Sequence, residues 1–391
     1  MKPIIASILD TDLYKLTMQH AVLQKFPDLW VEFSFTDRNN QVYPKGFDLL
    51  LRQAIEMMRD IKLTNTEADY LRKIDFLPPS YVDFLKGFRF NPDEISIRQN
   101  SFGHLSVKAE GYWYRTILWE VPILAIISEL FFKETFSDYG KNLHFLDLYD
   151  LKKLQLMEEH NAYFSDFGTR RRFSYENQDR LIGLFTVNKT TDCFVGTSNV
   201  HFAMKHGIKA IGTMAHEWIM AHGALFGYRM GNKLALDNWS DVYGGNLGTS
   251  LTDTYTTDSF LKSFDMMHSK LWDGCRQDSG NPFDYVDKIL YHYKNLHIDP
   301  MSKTIIFSNA LDIDTAIKIK EYCVGKIKSA FGIGTHLTND VGVKPMNIVI
   351  KLSGVFINKE WISTVKLSDD LGKNMGDSDE LNLCKGMLRI K

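Results

Sequence analysis

From about residue 163 to residue 340 the chain repeats one pattern: a short apolar run, a polar turn, then a stretch with helical spacing. The runs and turns fall at Phe164–Ser174, Cys193–Asn199, Lys209–Trp218, Gly245–Thr249, Leu271–Gly280, Thr304–Asn309 and Ser329–Thr335. Strands that alternate with helices across short turns pair in parallel through right-handed crossovers. So many units in series predict a closed β/α barrel rather than an open sheet. In barrels the chemistry gathers at the C-terminal ends of the strands. Here those ends carry Arg, His, Asp, Ser, Thr and Gly in junction after junction, which points to an enzyme.

The 391 residues exceed what one core usually serves, so a second unit is expected beside the barrel. Before residue 163 the spacing changes. Val31–Phe35 reads as a strand, and Glu94–Arg98 and Leu105–Glu110 alternate like strands of an antiparallel sheet. Phe47–Asp60, Thr64–Ile74 and Tyr81–Lys86 read as helices, and a longer one runs from about Asp147 to Ala162. Residues 7–26 read as a helix capped by Asp10 or Thr11, with Tyr14 on its first turn. Tyr14 either packs in the core or faces a site beside Asp10 and Asp12. The acidic run Ser368–Glu380 reads as an exposed loop.

Composition excludes several classes. A net charge of −2 gives no bulk attraction for nucleic acid, though it leaves room for a local basic pocket. Asp10, Asp12 and Lys15 interrupt the apolar N-terminus, so no signal peptide is expected. Thr116–Phe132 is the most apolar segment, but Glu120, Pro122 and Glu129 break it, which predicts a buried core helix and no membrane span. The four cysteines are far apart, as reduced thiols in a cytoplasmic protein would be, and no Cys₄ zinc site is expected.

The junctions carry the candidate chemistry. His216 and Glu217 stand on the first turn of a helix that follows Gly212 and Thr213. A helix N-terminus favours anions, and a neutral imidazole there can be a base, a nucleophile toward phosphorus, a metal ligand or a packing residue. Arg170, Arg171 and Arg172 stand in a row; one or two should face the site and one solvent, because a turn cannot aim all three alike. Phe331-Gly-Ile-Gly-Thr335 resembles a phosphate cradle, with Gly332 and Gly334 letting backbone N–H groups approach an anion and Thr335 adding a hydroxyl. Arg276 and Asp278 put a cation and an anion two residues apart, either as ligands or as an ion pair. Ser308 and Asp312 are similarly double, and Asp312 reads equally as a helix cap. A phosphorylated small molecule is the natural ligand; the reaction type stays open at this point.

In the same order along nearly the whole chain, Thr11–Met18, Phe164–Ser174, Gly196–Asn199, Gly212–Glu217, Arg276–Pro282 and Phe331–Thr335 resemble the nicotinate phosphoribosyltransferase family. The resemblance implies an irregular β/α barrel over residues 141–344. It also implies an α/β sandwich domain from residues 1–140, completed by about 345–391. It implies synthesis of nicotinate mononucleotide and pyrophosphate from nicotinate and phosphoribosyl pyrophosphate, coupled to ATP hydrolysis, as the first step of NAD salvage from nicotinate. Mg²⁺ would arrive on the pyrophosphate or ATP, so no dedicated metal-ligating residues are expected. A head-to-tail homodimer is implied, with Tyr14 reaching the partner's site.

Residue roles follow from the same resemblance. Phe167 and Tyr14 would sandwich the pyridine ring. Arg170 would hold pyrophosphate. Arg276, Thr213 and Thr335 would contact substrate anions or ribose, and Thr197 and Ser198 belong to the binding motif. Ser308, Gly332 and Gly334 would hold the 5′-phosphate. Asp278 would sit beside the ribose as it becomes oxocarbenium-like, and His216 resembles the family's phosphorylated histidine. Nicotinamide-specific relatives carry Asp where Ser198 stands, so Ser198 favours nicotinate. Competing readings are the same chemistry on nicotinamide, a non-catalytic ligand-binding barrel, and a sugar-phosphate aldolase or isomerase with Lys351 as its Schiff-base lysine.

Overall fold

Alternation with a period of two builds the first sheet. Along Leu105–Tyr112 buried and exposed residues alternate, as on a strand with one face against a core. This computed structural model describes residues 3–137, 139, 143–370 and 373–390. The strands are β1 Trp30–Asp37, β2 Ile95–Gln99, β3 Leu105–Tyr112, β4 Tyr163–Asp166, β5 Phe194–Thr197, β6 Lys209–Ala210, β7 Thr249–Leu251, β8 Gly274–Gln277, β9 Thr304–Phe307, β10 Lys328–Ile333, β11 Ile348–Ile357 and β12 Glu360–Ser363. One sheet is antiparallel in the order β12-β11-β1-β3-β2. Its longest ladder pairs Trp30–Asp37 with Phe356–Ile348, so the chain's end completes the sheet that its beginning starts.

The second sheet is parallel, in the order β6-β5-β4-β10-β9-β8-β7, with helices in the crossovers. It corrects the expected closure: the sheet is a curled half-barrel, and β6 and β7 are its two free edges. The physical reason lies between them. β6 is two residues long, and helices His216–Phe226 and Tyr228–Tyr243 fill the interval before β7. A side chain spans the gap in place of a ladder: Thr213 Oγ1 donates to the Thr249 carbonyl at 2.9 Å.

Several boundaries also move. Residues 245–248 form a turn with positive φ at Gly245 and Leu247, so the expected strand there begins at Thr249. The first helix, α1, runs Leu13–Lys25 with Asp12 in the cap position and no side-chain cap. Ser368 is buried, and a helix starts at Ser378, so the acidic run is not one exposed loop; residues 371 and 372 lie outside the described residues. Helix Glu120–Thr135 is the buried core helix its composition predicted. Among the described residues no helix is long and apolar enough to cross a membrane.

The arginine row resolves differently from expectation. Arg172 is fully buried, facing neither the site nor solvent. Its Nη1 and Nη2 donate to Asp10 at 2.7 and 2.9 Å, and its Nε donates to Glu129 at 2.7 Å. Asp10 therefore ties the N-terminal segment to the barrel instead of capping α1. Removing one partner of such a pair strands buried charge at a cost of roughly 3–5 kcal/mol. Arg172→Ala is expected to lose that stability in thermal or urea denaturation, whereas Arg171→Ala, at a partly exposed guanidinium, is expected to denature close to wild type.

Candidate active site

Helix α1 enters the barrel through its own backbone. Leu13 N–H donates to the Ser198 carbonyl at 2.8 Å, Val200 N–H donates to Thr11 at 3.0 Å, and Asp12 bridges Asn199. The approach requires Gly212, where a Cβ would lie 2.9 Å from the Tyr14 nitrogen. Tyr14 thereby lines a pocket with Asp12, Phe167, Arg170, Ser198 and Thr213 of its own chain. Within the chain, the backbone bonds that hold α1 against β5 and β6 set Tyr14 in this position. The Tyr14 hydroxyl is buried and has no hydrogen-bond partner among the described residues.

A polar cavity of about 290 Å³ shares Phe167, Arg170 and Arg276 with this pocket, so the two are continuous. Gly332 shapes the junction, because a Cβ there would lie 2.3 Å from the Phe167 ring. The Arg276 guanidinium lies over the Phe167 ring, 5.5 Å from its centroid. Arg276 Nε donates to Ser308 Oγ at 2.8 Å, and its Nη2 lies 3.3 Å from Asp278 Oδ1. The expected ion pair is thus real, and both members still line the cavity. Gly334, Thr335, Arg38, Arg171 and Lys351 complete its wall.

His216 stands just behind this wall, buried at the open seam. Its Nδ1 lies 3.0 Å from Thr254 Oγ1. Its Nε2 lies 3.1 Å from Asp278 Oδ2, 3.6 Å from Asp253 Oδ1 and 3.0 Å from Lys366 Nζ. Burial, followed by the Lys366 charge, pushes the imidazolium down to about 4, against the pull of Asp253 and Asp278. A lysine only donates, so with His216 neutral Nε2 accepts and Nδ1–H donates to Thr254. Burial opposes ionisation of Asp278, but the charges of Arg276 and Lys366 outweigh it and hold the carboxyl well below the usual range. The ligand atoms of His216, Asp253 and Asp278 come within 4.8 Å of one another. Lys366 Nζ, 3.1 Å from Asp253 Oδ2, puts a positive charge among them, which disfavours a resident dication.

Most of the residues singled out from sequence converge here. Tyr14, Phe167, Arg170, Ser198, Thr213 and Arg276 line the first pocket; Asp278, Ser308, Gly332, Gly334 and Thr335 line the second. Thr197 does not face either: it is fully buried, donates to Asp166 at 2.7 Å and accepts the Asn199 N–H. It supports the loop and is not positioned to touch a ligand. Asp312 caps its helix through the Thr315 N–H. Lys351 lines the same cavity but stands on antiparallel β11, opposite Ser34, and not at the end of a barrel strand, where the Schiff-base reading looked for its lysine. Burial nevertheless pushes its ammonium down to about 8. Sequence reasoning missed Asp12, Asp253, Lys366 and Arg38. Asp253 had a signal in the Leu-Thr-Asp-Thr run after β7, obscured by placing that strand too early. Lys366 had none.

A half-barrel whose strand ends gather Arg276, Asp278, Ser308 and Thr335 around one cavity has the architecture of an enzyme site. Residues 9–128 match the nicotinate phosphoribosyltransferase (NAPRTase) N-terminal domain, and residues 162–391 match the nicotinate phosphoribosyltransferase (NAPRTase) family. The nicotinate phosphoribosyltransferase of Desulforapulum autotrophicum is 48% identical over 97% of this chain and 98% of its own length. That of Methanosarcina mazei is 42% identical over 97% of each chain. The crystal structure of nicotinate phosphoribosyltransferase from Porphyromonas gingivalis superposes with a TM-score of 0.96 at 45% identity, covering 99% of this chain and 100% of that one. The chain belongs to the nicotinate phosphoribosyltransferase family, and so to the pentosyltransferases.

The His216 environment gives a direct expectation. The unfolded chain binds the imidazole proton near the ordinary value of about 6.5, and the folded chain only near 4. Between those values the unfolded state holds more protons, so the stability that neutral His216 contributes is lost as pH falls through this window. NMR titration should show the His216 ring neutral down to about pH 5, and Lys366→Met should raise its midpoint.

Proposed function

We propose that this chain makes nicotinate mononucleotide from nicotinate and phosphoribosyl pyrophosphate, and that ATP drives the synthesis by phosphorylating His216. The observation that carries the reading is the contact set of His216 Nε2, which meets Asp278 and Lys366 where they line a basic cavity. A neutral histidine with its Nδ1 proton held by Thr254 presents Nε2 as the nucleophile. Lys366 would move from Nε2 onto the incoming γ-phosphoryl oxygens. The N–P bond forms as the bond to ADP breaks, and hydrolysis of the phosphohistidine returns the neutral ring. Added negative charge beside Lys366 and Asp278 changes the affinity of the neighbouring anion sites.

The transfer itself needs little covalent help. Phe167 and Tyr14 would hold the pyridine ring with its nitrogen toward the ribose. Ser308, Gly332, Gly334 and Thr335 would take the 5′-phosphate. Arg170, with Arg38 and Lys351 across the cavity, would take the pyrophosphate, which carries Mg²⁺ in as part of the substrate. As the bond from ribose C1 to pyrophosphate breaks, positive charge grows on the ring. Asp278, ionised in advance, stabilises that charge without reorganising. The product would feed NAD synthesis from nicotinate.

Nicotinate mononucleotide formation, followed with and without MgATP, tests the coupling. Wild type should be strongly stimulated by ATP, and His216→Ala should lose the stimulation. ATP-independent product from both would demote His216 to a packing residue. Asp278→Asn is expected to lower kcat by roughly 10²–10³, the usual loss for one preorganised electrostatic group. Ser198→Asp should lower kcat/KM for nicotinate at least tenfold through like-charge rejection, which a steady-state comparison with nicotinamide would measure.

A further inference from the structure

We propose that Asp12 is a specificity-determining residue of the pyridine pocket, and that its carboxyl group takes up one proton when a pyridine carboxylate binds. The inference rests on the nicotinate reading above and goes one step deeper into the same pocket. Asp12 and Ser198 form one wall of it together, both buried. The Ser198 hydroxyl has a single proton and donates it to Asp12 Oδ1 at 2.7 Å. A substrate carboxylate arriving at Ser198 therefore meets an oxygen whose proton is already committed, with a second carboxylate behind it.

The surrounding charges are already engaged: Arg276, which also lines the pocket, donates to Ser308 Oγ at 2.8 Å and lies 3.3 Å from Asp278 Oδ1. Arg170 Nε is 3.8 Å from Asp12 Oδ2, but the same guanidinium serves Glu120 at 3.4 Å. The other groups that face Asp12 are the Glu120 carboxylate, the Thr169 hydroxyl and the Tyr14 ring. Asp166, at the end of β4, adds further negative charge nearby. Asn199 turns its side chain to Asp10, and Lys15 spends its ammonium on Glu120 and Glu217. Burial, the largest influence, pushes the Asp12 carboxyl up from its ordinary value, against the opposing pull of Arg170 and Ser198. A second carboxylate in van der Waals reach pushes it further.

One proton resolves the arrangement. Taken from solvent, it sits on Asp12, which then donates to Ser198 Oγ. The serine hydroxyl turns and donates to the substrate carboxylate. Apart from this O–H bond, formed as a solvent or buffer acid gives up its proton, no bond changes, and the two carboxyl groups share one charge. A neutral pyridine amide brings its own N–H donors and needs no added proton, so the acid and the amide differ in their dependence on pH.

Calorimetry of nicotinate binding to the full chain at about pH 7.5, in buffers of different ionisation enthalpy, counts the proton directly. Wild type should take up close to one proton, and Asp12→Asn, whose amide supplies a fixed donor, should take up none. Kinetically, kcat/KM for nicotinate should fall up to tenfold per pH unit above the site's midpoint in wild type, and this limb should be absent in Asp12→Asn. Ser198→Ala should keep the proton uptake. No uptake by wild type overturns the inference whatever the variants do, and undiminished uptake in Asp12→Asn overturns it too. A merely structural Asp12 would weaken nicotinate and phosphoribosyl pyrophosphate alike in Asp12→Asn, with no proton counted in wild type. Failure of wild type to make nicotinate mononucleotide at all is a separate result, which removes the nicotinate reading itself.

Discussion

Lys15 has no exposed side-chain surface, yet its ammonium lies 2.5 Å from Glu120 and 2.5 Å from Glu217. The three residues come from α1, from the core helix Glu120–Thr135 and from the helix that His216 begins. An ion of this kind is tolerated in a core only when its partners are fixed around it. The burial of Lys15 thus sets the distance from the N-terminal segment to the His216 turn. Two carboxylates around one ammonium leave a negative charge over, and Arg170 lies 3.4 Å from the far oxygen of Glu120. The arginine expected to meet substrate is therefore also part of the scaffold. Its orientation is determined before any ligand arrives, the condition under which electrostatic stabilisation is most effective.

The open seam follows from the same need. A closed ladder between β6 and β7 would satisfy backbone groups with strand and leave no room for a helix terminus between them. Instead the seam admits His216, and a segment from the far end of the chain covers it. Leu367 N–H donates to the Thr254 carbonyl at 2.8 Å, and Ser368 N–H donates to that of Asp253 at 3.1 Å. Ser279 joins the same covering, accepting the Asp369 N–H at 2.9 Å and donating to Asp253 at 2.6 Å. The segment that carries Lys366 is thus pinned to the two residues that hold the imidazole. Histidine, carboxylates and lysine come from four stretches of chain and behave as one electrostatic unit.

Period and punctuation made the elements legible. The strand-turn-helix series predicted every strand of the parallel sheet within a few residues, because each buries a short apolar run between polar turns. Closure was not legible, since helical spacing after β6 looks the same whether the helices pack outside a barrel or stand in for a ladder. The arginine row shows a similar limit: three identical side chains in sequence differ only in partners, and Asp10 and Glu129, which claim Arg172, are more than 40 residues away. Ser198 was singled out because a neutral serine stands where nicotinamide-specific relatives carry Asp. Its consequence depends on Asp12, a residue that reads in sequence as the start of a helix. Lys366 was invisible for a plainer reason: a lysine in a polar segment is ordinarily solvated, and only the tertiary fold takes this one out of water.

Those distant contributions settle how two neighbouring groups come to hold opposite protonation preferences. His216 and Asp278 lie 3.1 Å apart, the ring buried and the carboxylate partly exposed to the cavity. Burial alone would favour a neutral ring and a neutral acid. Arg276 breaks the tie for Asp278, because its guanidinium offers a charge the carboxylate can answer without leaving the cavity wall. Lys366 reinforces the neutral ring of His216, because a cation beside Nε2 makes a second proton on the imidazole costly. The result is an ionised acid and a neutral base side by side. An ionised acid suits a sugar that becomes positive as its leaving group departs, and a neutral base suits attack on phosphorus. Exchanging either preference would disable one reaction without helping the other. The chemistry proposed for the site therefore depends less on the two residues that would perform it than on the cations placed beside each.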